Sequence, residues 1–172
     1  MIKSYFKILI YIVFYVLLQV LIIDKIHLFR IATPFLYLYV IVKIPVNVTR
    51  SKVIFISFLL GLIMDIFFNT FGMHAAACTL AGMCRNPLIH LFPSNKLSES
   101  DTLSFQTLGV MSFMKYVFCL VAIHHIALFC IESVSLFDPV FLLFRIVVCI
   151  VCTMLFIFIV EAFNKERKKH ET

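Results

Sequence analysis

Long apolar runs joined by short basic or polar connections decide what this chain can become. The first reads ILIYIVFYVLLQVLII over residues 8–23, and five more follow at about 31–44, 53–68, 71–84, 108–131 and 139–160. A membrane-spanning helix needs ~20 mostly apolar residues, whereas a strand in a soluble core is far shorter. Hydrophobic residues make up 63% of the chain, charged residues 14%, and the mean hydropathy is +1.08. A soluble domain carries ~45–50% apolar and ~25% charged residues. No water-facing shell can cover this much oil, so the pattern predicts an integral membrane protein. It would be all-α, a single domain over residues 1–172 with about six transmembrane helices.

Local signals refine this reading. Pro34 and Pro139 fall near the starts of the second and sixth runs, where a missing N–H is harmless. The third run has sixteen residues, about 24 Å of helix against a ~30 Å hydrocarbon core, and only Asn69-Thr70 separates it from the fourth, which is also short. The two form either a tight hairpin sheltered by neighbours or a re-entrant pair, giving four spans plus that pair as the variant. At the N-terminus, Lys3 and Lys7 precede the first run, but Asp24-Lys25-Ile26-His27 follows it without a small-residue cleavage site. The first run therefore reads as an uncleaved span.

The basic residues set an orientation. With the N-terminus inside, the inner segments hold Lys3, Lys7, Lys43, Arg50, Lys52, Arg85, Lys96, Lys165, Arg167, Lys168 and Lys169, and the outer ones only Lys25 and Arg30. That bias predicts cytoplasmic N- and C-termini, a cytoplasmic loop over 85–106 and a basic tail over 161–172. The net charge of +6 then faces membrane lipid and its headgroups. Nucleic acid is not an expected partner, since no recognisable binding module is present.

Polar residues inside the runs are the candidates for function. Asp65 lies near the outer end of the third run, where it either reaches the headgroups or meets a partner within the bundle. Arg145, about two turns into the sixth run, is the partner of matching depth. Gly61 is one helical turn from Asp65 and shares its face, so another helix can come close there. Gly72, Ala75, Ala76, Ala77, Ala81 and Gly82 make the fourth run small-sided. Gln19, His74, His124 and His125 fall in outer halves, as either a polar cavity or hydrogen bonds between helices. Lys115 sits where it can snorkel inward.

Adjacent His124 and His125 point about 100° apart on a helix and do not share a metal easily. Cys78, Cys84, Cys119, Cys130, Cys149 and Cys152 all lie in apolar segments and read as small buried hydrophobes. No G-x-S-x-G, H-E-x-x-H or phosphate-binding glycine loop occurs. The expectation is a protein that is not an enzyme, with no catalytic residues, metal or cofactor.

The stretch TPFLYLYVIVKIPVNVTRSKVIFISFLLGLIMDIFFNTFGMHAAACTLAGMCR resembles the MreD family of rod shape-determining proteins. The shared features are Pro34, the short basic loop 43–52, GLIMD with Gly61 and Asp65, and Gly72 before the small-sided FGMHAAA. The Phe-rich composition, the lack of Trp and the Asn-Thr linker depart from the pattern. The resemblance implies a multi-pass protein of the bacterial inner membrane. It would be a non-catalytic part of the elongation machinery, sitting with MreC, the actin-like MreB, the glycosyltransferase RodA and its penicillin-binding transpeptidase partner. The family is fold-related to the substrate-binding S components of energy-coupling-factor transporters. That supplies an alternative, a transporter subunit holding a small molecule near Asp65, His74, His124 and Arg145. Such components dock through small residues on their first helix, and residues 8–23 contain neither Ala nor Gly.

Overall fold

The computed structural model describes residues 2–22, 33–92, 102–133 and 138–170, with side chains from residue 8 to residue 164 within those segments. Seven α-helices are described: α1 (Ile2–Leu21), α2 (Leu38–Lys43), α3 (Arg50–Phe68), α4 (Met73–Leu91), α5 (Phe105–Leu108), α6 (Val110–Glu132) and α7 (Pro139–His170). No strand occurs among the described residues. Arg50–Phe68, Val110–Glu132 and the Pro139–Asn164 part of α7 are each long and apolar enough to cross a membrane. Their outward positions are greasy: Phe55, Ile66, Phe118, Val140, Leu143 and Phe144 are all exposed. An apolar surface around a close-packed interior points to a membrane protein.

The largest departure from the expected spans is at 31–44. Residues 31 and 32 lie outside the described segments, and only Leu38–Lys43 is α-helical. Residues 33–35 are irregular, followed by tight turns in which the N–H groups of Leu38, Tyr39 and Val40 bond to carbonyls three residues back. Pro34 therefore precedes a non-helical entry instead of opening a full spanning helix. Every residue from 34 to 45 is buried. This irregular entry and its short helix form the axis of the molecule, and the other helices wrap it. Irregular backbone at such depth is tolerated only where protein covers it and supplies hydrogen bonds.

Two ends of the bundle can be named by contacts. At one, Thr33 meets the α3–α4 connection, the end of α6 and the start of α7 around a shared cavity. At the other, Ile8, Ile44, Val48 and Val53 form a small apolar cluster, and Lys43 meets Leu103 and Glu161. The α3–α4 hairpin runs between them, and the two helices form the most extensive helix pair. Each has nineteen residues, about 28 Å. Each is longer than the apolar run that announced it, so the pair extends the length of the bundle.

The connection is four residues, 69–72, and not Asn69-Thr70 alone. It turns through two left-handed positions, Asn69 at φ 54° and Gly72 at φ 81°, conformations that Asn and Gly adopt at least cost.

The region assigned to a cytoplasmic loop over 85–106 is also different. Helix α4 continues to Leu91 and carries Arg85 into the core, where it is fully buried. Leu103, Ser104, Phe105 and Leu108 fold back against the bundle, with Ser104 and Thr107 capping each other at the start of α5. Lys43, expected in a basic loop, is buried as well. The helix α7 runs on to His170, so residues 161–170 extend the last helix and do not form a separate tail. Lys25, Arg30 and Lys96 lie outside the described residues, as do the side chains of Lys3, Lys7 and the basic residues from 165 on.

Candidate functional site

The central segment carries backbone groups that its own short helix cannot satisfy, and polar side chains from three helices reach in to them. Gln19 of α1 uses both ends of its amide, donating from Nε2 to the Pro34 carbonyl at 2.9 Å and accepting the Leu36 N–H on Oε1 at 2.8 Å. The Phe35 N–H donates to Thr153 Oγ1 of α7 at 3.0 Å. Arg85 of α4 donates from Nε to the Ile41 carbonyl at 3.1 Å and from its terminal nitrogen to the Ile44 carbonyl. Those are the carbonyls a helix end leaves open, so Arg85 acts as a C-terminal cap for α2 supplied by another helix.

At the same end, Lys43 pairs with Glu161 at 2.7 Å and donates to the Leu103 carbonyl at 2.7 Å. Glu161 also accepts from the Tyr39 hydroxyl and, at 3.3 Å, from the Phe105 N–H. One carboxylate thus ties together the axis, the loop before α6 and the last helix.

Asp65 has a comparable role at the opposite end. Its Oδ1 accepts the Thr70 hydroxyl at 2.5 Å and the His74 N–H at 2.9 Å, and its Oδ2 accepts the Ala75 N–H at 2.8 Å. His74 and Ala75 are the second and third residues of α4, whose N-cap, Gly72, has no side chain to offer. The last turn of α3 therefore supplies the cap of α4, and negative charge is favoured at a helix N-terminus. Below this clip the helices touch through glycine. A Cβ on Gly61 would lie 2.5 Å from Ala75 Cα, and one on Gly82 would lie 2.5 Å from Ser57 Oγ. The two glycines set the close approach that lets Asp65 reach.

Arg145 is not the partner of Asp65. It pairs with Glu132 at 2.8 Å, and its guanidinium lies 4.6 Å over the Phe129 ring. The depth match suggested by the sequence was real enough to bring both residues to one end of the bundle. There the backbone of α4 gave Asp65 closer donors, while Glu132, one pass earlier, was nearer to Arg145.

Behind the clip runs a chain of rings. Tyr37 Oη lies 2.9 Å from His74 Nδ1 and 2.9 Å from His124 Nε2. A hydroxyl has one proton, so it donates to one ring and accepts from the other. His125 belongs to a second chain: its Nδ1 donates to the Val121 carbonyl at 2.8 Å, and in the neutral ring Nε2 then accepts from Thr153 at 3.3 Å. Gln19, His74, His124 and His125 are thus all engaged in bonds within the bundle. His124 Nδ1 has no partner among the described residues.

A cavity of about 230 Å³ opens beside this chain. Phe35, Phe68, Met73, Leu128 and Phe129 provide its apolar wall, and Thr33, Thr70, His74, Glu132 and Arg145 its polar one. His74 and Arg145 line it; Asp65 and His124 stand behind the wall. No group of three or more His, Cys, Asp or Glu residues among the described residues is placed to hold a metal ion.

No family model, curated protein or solved structure matches this chain.

Of the residues singled out in the sequence, Asp65, Gly61, Gly72 and His74 converge at the head of the hairpin, Pro34 enters the axis through Gln19, and Arg145 stands across the cavity. Tyr37, Thr153, Glu132 and Glu161 were not marked out by the sequence, and Arg85 was expected in a cytoplasmic loop. Glu161 was readable as a lone carboxylate closing the apolar run of α7, and Lys43 as a lone cation closing that of the axis. Nothing local to Tyr37 set it apart from its aromatic neighbours.

Proposed function

We propose that this chain is a non-catalytic inner-membrane component of a bacterial cell-shape and elongation machinery, working by contact between helix surfaces. One observation carries the reading. The residues on which the resemblance to the MreD family rests are those that build the central device. Pro34 enters the axis, Gly61 sets the hairpin crossing, Asp65 clips α4, and Gly72 turns the chain into it. The resemblance therefore lies in a structural core and not in a catalytic constellation. The bulky outward positions of α1, among them Leu9, Val13, Phe14 and Leu17, are exposed and suit contact with neighbouring spans or lipid. Expected neighbours are MreC, RodA and its transpeptidase, with MreB filaments on the cytoplasmic side.

The test is affinity purification of the tagged full chain from its own membranes after in-cell crosslinking through exposed positions such as Phe14, Phe55 and Phe144. Wall-synthesis and filament proteins among the crosslinked products support the reading. Recovery of an ATP-binding transport module instead would refute it.

The runner-up, a substrate-binding subunit of an energy-coupling-factor transporter, is favoured by the cavity beside His74 and Arg145. It is opposed by α1. Neither Ala nor Gly occurs between Ile2 and Leu21, so the apolar face from Ile8 on offers no place for the close backbone approach expected of that docking.

A further inference from the structure

The cavity between the hairpin head and the α6–α7 pair has no part in holding the fold. Its polar wall is unevenly used. Arg145 carries five N–H donors in a planar fork, yet among the described residues it makes a single hydrogen bond, from one terminal nitrogen to Glu132 Oε1. Glu132 Oε2 makes none among the described residues. His74 spends Nδ1 on Tyr37, and its Nε2 has no partner among the described residues although the ring lines the cavity. The Arg145 guanidinium is already oriented by the Phe129 ring and by Glu132, so little freedom remains to be lost when it binds.

We infer that this cavity binds a small zwitterion, with its anionic group on Arg145, its ammonium on Glu132, and its apolar part against Phe35, Phe68 and Phe129. The opposed charges of the pair select a molecule carrying both signs. A second anion or a second cation alone would meet one partner and be repelled by the other. The pair is about a third exposed, at 34% and 38%, so a ligand can join it without opening a buried ion pair. At about 230 Å³ the cavity exceeds the ~150 Å³ of an apolar cavity that takes benzene, so it has room for an amino acid or one lipid headgroup. Phe68 stacks on His74 at 5.2 Å, which leaves the ring edge free to bond the same ligand.

Two sources supply this chemistry: a free α-amino acid, or the phosphate and ammonium of a phosphatidylethanolamine headgroup. The inference stands apart from the function proposed above, which survives if it fails.

The experiment uses the full chain in nanodiscs of phosphatidylglycerol alone. Calorimetric titration with phenylalanine and leucine forms one arm, with phenethylamine and 3-phenylpropanoate as single-charge controls. Native mass spectrometry after transfer to phosphatidylethanolamine nanodiscs forms the other. Saturable binding of either zwitterion source, at least tenfold tighter than either single-charge control, supports the site, and the arm in which it appears names the source. Glu132→Gln and Arg145→Met should each weaken that binding at least tenfold. Equal binding of single-charge controls, or no binding in either arm, overturns it. So does binding that persists in both variants. The wild-type arms decide the matter even where a variant fails to fold.

Discussion

Replacing Asp65 by Ala tests the central mechanical claim. The change leaves the N–H groups of His74 and Ala75 without their acceptor, and both residues are nearly fully buried, at 5% and 3%. A buried unsatisfied donor costs roughly 1–3 kcal/mol, and loss of a helix N-cap alone about 0.5–2. Some water will enter from the nearby cavity, so the expected destabilisation is about 2–4 kcal/mol. Asp65→Asn keeps one acceptor and should cost about half as much. Removing Arg145 should cost little, ~0–1 kcal/mol, because its pair with Glu132 is partly solvated.

The decisive measurement is a pair of double-mutant cycles. Asp65→Ala with Arg145→Ala should be additive within ~0.5 kcal/mol, since the two share no partner. Asp65→Ala with Thr70→Val should be less than additive, since the Thr70 hydroxyl donates to the same carboxylate. Unfolding in mixed micelles can be followed by labelling of Cys78 and Cys149, which are buried at 0% and 1% exposure. A coupling above ~1 kcal/mol between Asp65 and Arg145, or an Asp65→Ala protein as stable as wild type, would refute the cap.

Further substitutions probe the other contacts. Gly61→Ala should destabilise by about 1–3 kcal/mol or more, since its Cβ meets Ala75 backbone atoms at 2.5 and 2.7 Å; the same unfolding assay measures it. Gly82→Ala should cost a similar amount, because its Cβ meets both the Ser57 hydroxyl at 2.5 Å and Ser57 Cβ at 2.8 Å. Ser57→Ala should be neutral or stabilising by up to ~1 kcal/mol, as that hydroxyl is buried without a partner among the described residues, and it should soften Gly82→Ala. Glu161→Gln should cost about 3–5 kcal/mol by leaving the Lys43 ammonium without its carboxylate. Lys43→Met combined with Glu161→Met should recover most of that, read from midpoint shifts of the three proteins.

The length of the apolar runs made much of this architecture legible. The runs at 53–68, 108–131 and 139–160 each became the greater part of a long helix, because lipid-facing helices need little beyond length and oil. The small-sided fourth run and Gly61 announced a close helix pair, since only small residues permit it. What stayed hidden was the run at 31–44. Its composition, rich in Tyr, Leu, Val and Ile, is as greasy as any spanning helix, and hydropathy does not distinguish a helix facing lipid from a segment buried on all sides. The difference lies in partners more than a dozen residues away: Gln19, Arg85 and Thr153 supply the hydrogen bonds that a regular helix would make internally. Asp65 was picked out correctly as a misfit, but its partner was sought among charges. Backbone N–H groups at a helix start are equally good acceptor-seekers, and the sequence gives no charge to mark them.

The same accounting explains why so many polar groups sit in so greasy a chain. Three helices could cross a membrane on composition alone, and a bundle of such helices would need neither Arg85 nor Gln19. An axis that is partly non-helical changes the requirement, because each open carbonyl or N–H at depth costs several kcal/mol unless a side chain meets it. Gln19, Arg85 and Thr153 each answer one such group or pair of groups. Asp65 answers the parallel problem at the start of α4, and Glu161 at the Lys43 end of the axis. The Arg145–Glu132 pair answers none of them. It binds no backbone group among the described residues, it borders open space, and its nearest ring is a wall of the cavity. Charges that a fold does not use are the ones left for something outside it, so the search for a ligand belongs at that pair.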